Sequence, residues 1–176
     1  MARILFGDVN PGGKLPITFP RSLSQLPAYY NYKPAAIRSY AFANSEPLFP
    51  FGHGLSYTTF RFDNPVVMLA VIAPEGKATL SVDVTNTGSR EGDEMVKMYV
   101  HHRVSPITRP VIELKGFRRI TLNLGQKTTV QFKITPELLA DYDLNMRRVV
   151  APGTVDLRVG SSSTQTVSTS QRVAAS

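Results

Sequence analysis

Glycoside, ester or metal chemistry needs particular side chains at particular spacings, and this chain offers few. Asp141-Tyr142-Asp143 offers two acids at i and i+2, whose carboxylates share a face on a strand; the aromatic between them and the turn that follows mark them as surface groups. Asp93-Glu94, after Gly92, reads as a solvated corner at a strand start. His53 stands between two glycines, three residues before Ser56, the one place where a base and a hydroxyl nucleophile approach each other in sequence. A nucleophile elbow of the Gly-x-Ser-x-Gly kind is missing, since Gly160-Ser161-Ser162-Ser163-Thr164 lacks its second glycine. His101-His102 on a strand would point to opposite faces, so one at most could ligate a metal. No glycine-rich loop opens a helix to cradle phosphate. The residues therefore call for no metal and no other cofactor.

Composition narrows the classes further. Twenty Lys plus Arg against thirteen Asp plus Glu give a net charge of +7, but the only adjacent basic pairs are Arg118-Arg119 and Arg147-Arg148. Scattered cations without an aromatic ladder describe a solvated basic face and not a nucleic-acid partner. No apolar run approaches the ~20 residues of a membrane helix. With zero Cys there is no disulfide framework, and the compartment, periplasmic, secreted or cytoplasmic, stays open. The first residues lack the features of a signal peptide and read as the interior of something longer.

The elements that must position any site divide near residue 57. From Lys14 to Phe49, prolines at 16, 20, 27, 34 and 47 forbid a long helix, so the segment reads as an extended strap. Its aromatics, Tyr29, Tyr30, Tyr32 and Tyr40 among them, need an apolar surface to lie on. Glu46 to Phe60 packs two prolines, two glycines and four aromatics into fifteen residues, a fixed turn.

Beyond it the period becomes two. Thr59 to Phe62 alternates; Leu80, Val82 and Val84 share one face; Val96, Met98 and Val100 oppose Met95, Lys97, Tyr99 and His101; Val130, Phe132 and Ile134 oppose Thr129, Gln131 and Lys133. Asn86-Thr87-Gly88-Ser89 and Asn123-Leu124-Gly125-Gln126 are turns, and Pro136 to Leu139 is a single helical turn capped by Thr135. Short strands at regular spacing predict an all-β fold, an antiparallel β-sandwich, with a last edge strand running to about residue 173.

Three runs carry a family resemblance. Pro47-Leu48-Phe49-Pro50-Phe51-Gly52-His53-Gly54-Leu55-Ser56-Tyr57-Thr58 resembles the PLYPFGxGLSYT signature of glycoside hydrolase family 3, the β-glucosidases and β-xylosidases. Phe6 to Pro20 is similar to that family's GDxNPSGKLPVTFP run, and Tyr30-Asn31-Tyr32-Lys33-Pro34 to its YNHKP. The resemblance implies residues 1–56 as an extended remnant of the family's α/β domain and 57–173 as a fibronectin type III-like (immunoglobulin-like) antiparallel β-sandwich. It implies a structural and docking role. The family's nucleophilic Asp lies in an upstream (β/α)8 barrel and its acid/base residue upstream of the GDxNPSGKLP run, so no residue here inherits either role.

In that comparison His53 fills a slot open to Tyr, Phe or His, an aromatic packing and hydrogen-bonding position, and Asp8 is placed to cap the Asn10-Pro11-Gly12-Gly13 turn. Substrate-side support would come from Tyr32, Lys33 and Arg38, with Tyr32 standing where the family usually has His. The partners implied are upstream catalytic domains of a parent enzyme or another protomer, with a homo-oligomer one outcome. Two other readings compete: a stand-alone module binding polysaccharide, and a small hydrolase built around Ser56 and His53.

Overall fold

A computed structural model describes residues 2–34, 44–105 and 107–175. A short helix, α1 (Ala2–Leu5), and a 3-10 turn (Leu23–Gln25) interrupt an extended N-terminal segment. The strands are β1 (Phe60–Met68), β2 (Val71–Ile72), β3 (Ala78–Asn86), β4 (Gly92–His102), β5 (Glu113–Leu122) and β6 (Lys127–Ile134). The helical turn α2 (Pro136–Leu139) precedes β7 (Asp141–Tyr142), β8 (Arg148–Val149), β9 (Gly153–Gly160) and β10 (Thr166–Val173). A three-stranded sheet of order β1-β3-β6 packs on a five-stranded sheet of order β2-β10-β9-β4-β5, and β7 with β8 forms a small hairpin. The fold is the all-β sandwich that the alternation predicts.

The core forms where the two period-two faces meet. Leu80, Val82 and Val84 of β3 stand beside Val130, Phe132 and Ile134 of β6, and across from Val96, Met98 and Val100 of β4 and Val155, Leu157 and Val159 of β9. Leu80, Val82, Val84 and Leu157 are wholly buried. Each such side chain contributes about 1.5–3 kcal/mol over its exposed state.

The first strand departs from expectation. It continues past Phe62 to Met68, because Asn64 takes a positive φ of 49° and the register slips between Asp63 and Val66, a bulge that leaves Pro65 no ladder bond to supply. Leu69, at φ 70°, then turns the chain from one sheet into the other, where β2 runs parallel to β10. Gln171 holds this crossing: fully buried, it donates from Nε2 to the Leu69 carbonyl at 2.8 Å.

Asn86 ties the sandwich end together. Its Oδ1 accepts from Thr58 Oγ1 and the Gly88 amide, and its Nδ2 donates to the Arg90 and Leu122 carbonyls, so one buried amide closes two turns and anchors the residue that ends the signature. Thr135 does occupy the position before α2 with Pro136 at its start, but its side chain makes no capping hydrogen bond to the helix.

Candidate functional site

The strap lies on the outer face of the five-stranded sheet. Residues 15–19 and 48–53 pair with each other: the Gly52 amide donates to Leu15 O and the Leu15 amide to His53 O, both at 2.8 Å, and Phe19 bridges Phe49. The prolines and glycines of the signature make this ribbon by fixing φ at 47 and 50 and by allowing Gly52 its φ of 84°. Gly52 is also required by space, since a Cβ there would sit 2.9 Å from Ser162 Cα and 3.0 Å from Ser161 O.

Underneath, the sheet offers polar and aromatic groups. Tyr30 stacks on Phe51 at 4.3 Å between centroids and meets the edge of Tyr99 at 6.1 Å. The Ser163 amide donates to Phe51 O and the Val111 amide to Tyr32 O, each at 2.9 Å. Lys14 Nζ pairs with Glu94 Oε2 at 3.1 Å, both side chains nearly buried. Lys97 is buried too and donates from Nζ to Ser161 O at 2.6 Å. Burial pushes the Lys97 ammonium down to about 8; Glu94 offsets part of this, and Lys14 adds to it.

Between strap and sheet runs a groove of about 870 Å³. Tyr32, half-buried, and Lys33, exposed, both line it, with Tyr29, Tyr30, Asn31 and Arg158. Arg38, the third residue placed on the substrate side, lies outside the described residues, as does Tyr40. Arg158 and Thr164 escape sequence reasoning: they sit more than a hundred positions from the strap, and only the alternation of β9, which turns Leu157 and Val159 inward, hints that Arg158 faces the other way.

The remaining candidates are engaged elsewhere. Ser56 Oγ donates to Asn10 Oδ1 at 2.8 Å, and His53 packs its ring 4.8 Å from that of Phe49, so the hydroxyl is directed to an amide and the imidazole to an aromatic. The described hydrogen bonds of the first turn belong to Asn10, which also accepts from the Tyr57 amide and donates to Glu91 O; Asn10, and not Asp8, pins it. Asp143 accepts from the amides of Arg147 and, more weakly, Asn145, which hold its carboxyl below the usual range, and Asp141 Oδ2 lies 3.0 Å from Arg109 Nη1 without hydrogen-bond alignment. Asp93 takes Thr121 Oγ1 at 2.6 Å and pairs with Arg119. Burial, with Arg109 nearby, pushes His102 down to about 4. Among the described residues no group of three His, Cys, Asp or Glu is placed to hold a metal ion.

Two family models match. Residues 1–57 match the glycosyl hydrolase family 3 C-terminal domain and 94–163 the fibronectin type III-like domain. The chain is a C-terminal region of the glycoside hydrolase family 3 type. Within the family it is 47% identical over 167 residues to a β-xylosidase from Formosa agariphila, covering 93% of this chain and 23% of that protein. It is 42% identical over 171 residues to a periplasmic β-glucosidase from Salmonella typhimurium, covering 91% and 22%. A solved β-glucosidase from Erythrobacter marinus superimposes with a TM-score of 0.93 at 40% identity, over 98% of this chain and 23% of that one. The chain thus spans about a quarter of the length of the relatives it matches, and this family 3 region carries the sandwich and the strap.

Proposed function

We propose that this region braces and docks the catalytic domains of a β-glucosidase- or β-xylosidase-like glycoside hydrolase and does not itself cleave glycosides. The observation that carries the proposal is the strap interface: the signature turn is locked onto the sheet by Gly52, Phe51 and Ser163, with residues 14–19 laid alongside it. Such a joint fixes the angle at which preceding domains leave the sandwich. Cleavage by the family's route needs two carboxyl groups about 5–10 Å apart across a sugar. Here Asp93, Asp141 and Asp143 are committed to ion pairs, turns or sheet hydroxyls. We place the division between strap and sandwich at residues 56 and 57, where Asn10 grips Ser56 and Tyr57.

In this reading Tyr32 and Lys33 support the substrate side of a neighbouring catalytic domain, and that domain is the partner. Exposed apolar groups on the strap side, Leu5, Phe6 and Leu55, supply the docking surface. A chimera tests this. A family relative is cut back to lose its matching C-terminal region, and this chain is joined in its place. The truncated enzyme is expected to lose turnover and thermal stability, and the chimera to recover both. Full turnover and an unchanged Tm in the truncated enzyme would overturn the proposal.

A further inference from the structure

The groove beneath the strap holds chemistry that docking does not use. Tyr29 lines it with 65% of its surface exposed, and among the described residues no aromatic partner packs on its ring. Arg158 lines the sandwich side, projecting from the outer face of β9, where its register partners are Tyr99 and Ser168. Among the described residues no hydrogen bond or ion pair engages the Arg158 guanidinium or the Asn31 side-chain amide, although both line the groove. Thr18 Oγ1, also lining the groove, is buried without a partner. An open aromatic face beside uncommitted polar side chains, with one buried hydroxyl unpaired, has the make-up of a recognition surface.

The kind of ligand follows from those groups. A sugar ring presents an axial C–H face that packs on an aromatic π surface, and a rim of hydroxyls that both donate and accept. The amide of Asn31 serves both directions, and the guanidinium of Arg158 donates a fixed fork. A peptide in extended form would instead need unpaired backbone along the groove, yet the neighbouring Val111 and Ser163 amides are already given to Tyr32 O and Phe51 O. Arg158 and Lys33 are balanced only by Glu46 among the described lining residues, too few charges to demand an ionic ligand. The volume, about 870 Å³, lies within the range of about 300–1,000 Å³ usual for small-molecule sites.

We propose that strap and sandwich together form a holding site for a neutral β-linked oligosaccharide, with Tyr29 stacking one ring and Arg158 and Asn31 gripping its hydroxyls. The choice of β-linked glucose or xylose chains rests on the family reading; the stacking geometry does not. The site holds and does not cut, since Glu46 is the sole acid among its described lining residues and glycoside cleavage takes a pair. It gives the order of the strap a second purpose, because Tyr29 and Arg158 belong to parts of the chain that only the strap's docking brings to one groove.

The chain has seven Tyr and no Trp, so tyrosine emission reads the groove without a brighter background. The full 176-residue chain is titrated with cellohexaose and with xylohexaose. The expected result is a saturable change with at least one of them below about 10 mM, weakened about tenfold by Tyr29→Ala and by Arg158→Ala. Calorimetric titration reads the same affinities without the lost fluorophore, and Lys133→Ala on the far sheet leaves them unchanged. Unaltered far-ultraviolet dichroism and Tm show that the variants fold. No saturable binding of either sugar to about 10 mM, or binding that both variants retain, overturns the proposal. Neither outcome touches the brace, whose chimera test reads turnover.

Discussion

The two faces of β4 are built on opposite plans. Inward, Val96, Met98 and Val100 meet apolar partners from β3, β6 and β9. Outward, Lys97 and Tyr99 are equally buried, but the strap covers this face through Tyr30, edge-on to Tyr99, and an ion pair at Lys14 and Glu94, while Lys97 bonds to Ser161 O in the turn after β9. An aliphatic face yields stability in proportion to area and little geometric choice. A polar and aromatic face costs desolvation at each group and returns it only in one alignment, which makes it the better device for fixing an angle between parts. The inner face therefore holds the sandwich up, and the outer face sets where the strap lies.

Substitutions on the two faces should fail differently, and the inner one should fail hardest. Leu157→Ala, at a wholly buried site, is expected to cost about 3 kcal/mol in urea unfolding, within the ~2–5 range for such deletions, and to loosen both faces together. Gly52→Ala forces a Cβ into Ser162 and strains a positive φ; a loss of about 2 kcal/mol should fall on the strap, seen as proteolysis within residues 14–53 while the sandwich stays protected. Equal cleavage of sandwich and strap would erase the distinction between the faces.

Protonation sharpens the contrast on a smaller scale. His102 is held near 4 in the folded chain against 6.5 when unfolded, so the unfolded state takes up the proton first and stability falls as pH drops from about 6.5 to 4. Lys97 is held near 8 against 10.5, so the same rule makes stability rise as pH climbs from about 8 to 10.5. At 1.36 kcal/mol per unit, and allowing for solvent around these groups, each slope is worth about 1–2 kcal/mol. Thermal unfolding across pH should lose the acid slope in His102→Gln and the alkaline one in Lys97→Met. Smallest is Ser56→Ala, which removes the bond to Asn10 for about 1 kcal/mol and leaves any background ester hydrolysis unchanged. A fall in that hydrolysis would revive a site at Ser56.

Period-two alternation made the inner face readable from sequence, down to the facing of Leu80 against Val82's neighbours and the last strand to Val173. The outer face was not readable, because Lys97 and Tyr99 look like ordinary solvent positions until the strap is laid over them. The course of β1 was also hidden: its bulge at Asn64 and its crossing at Leu69 depend on Asp83 and Gln171, which are distant in sequence. Of the groove, Tyr32 and Lys33 could be singled out by the family run they sit in, whereas Arg158 is brought there by the sheet alone. Asp8 was the natural choice for the first turn by charge; Asn10 holds it because an amide, unlike an ionised carboxylate, accepts from Ser56 and donates to Glu91 O at once.

The most direct trial of the account is turnover of aryl β-glucoside and aryl β-xyloside by the purified chain. A brace without a cleaving site gives rates equal to buffer. Hydrolysis at enzyme-like rates, abolished by changing one of the chain's own acids such as Asp93→Asn or Glu94→Gln, would contradict it.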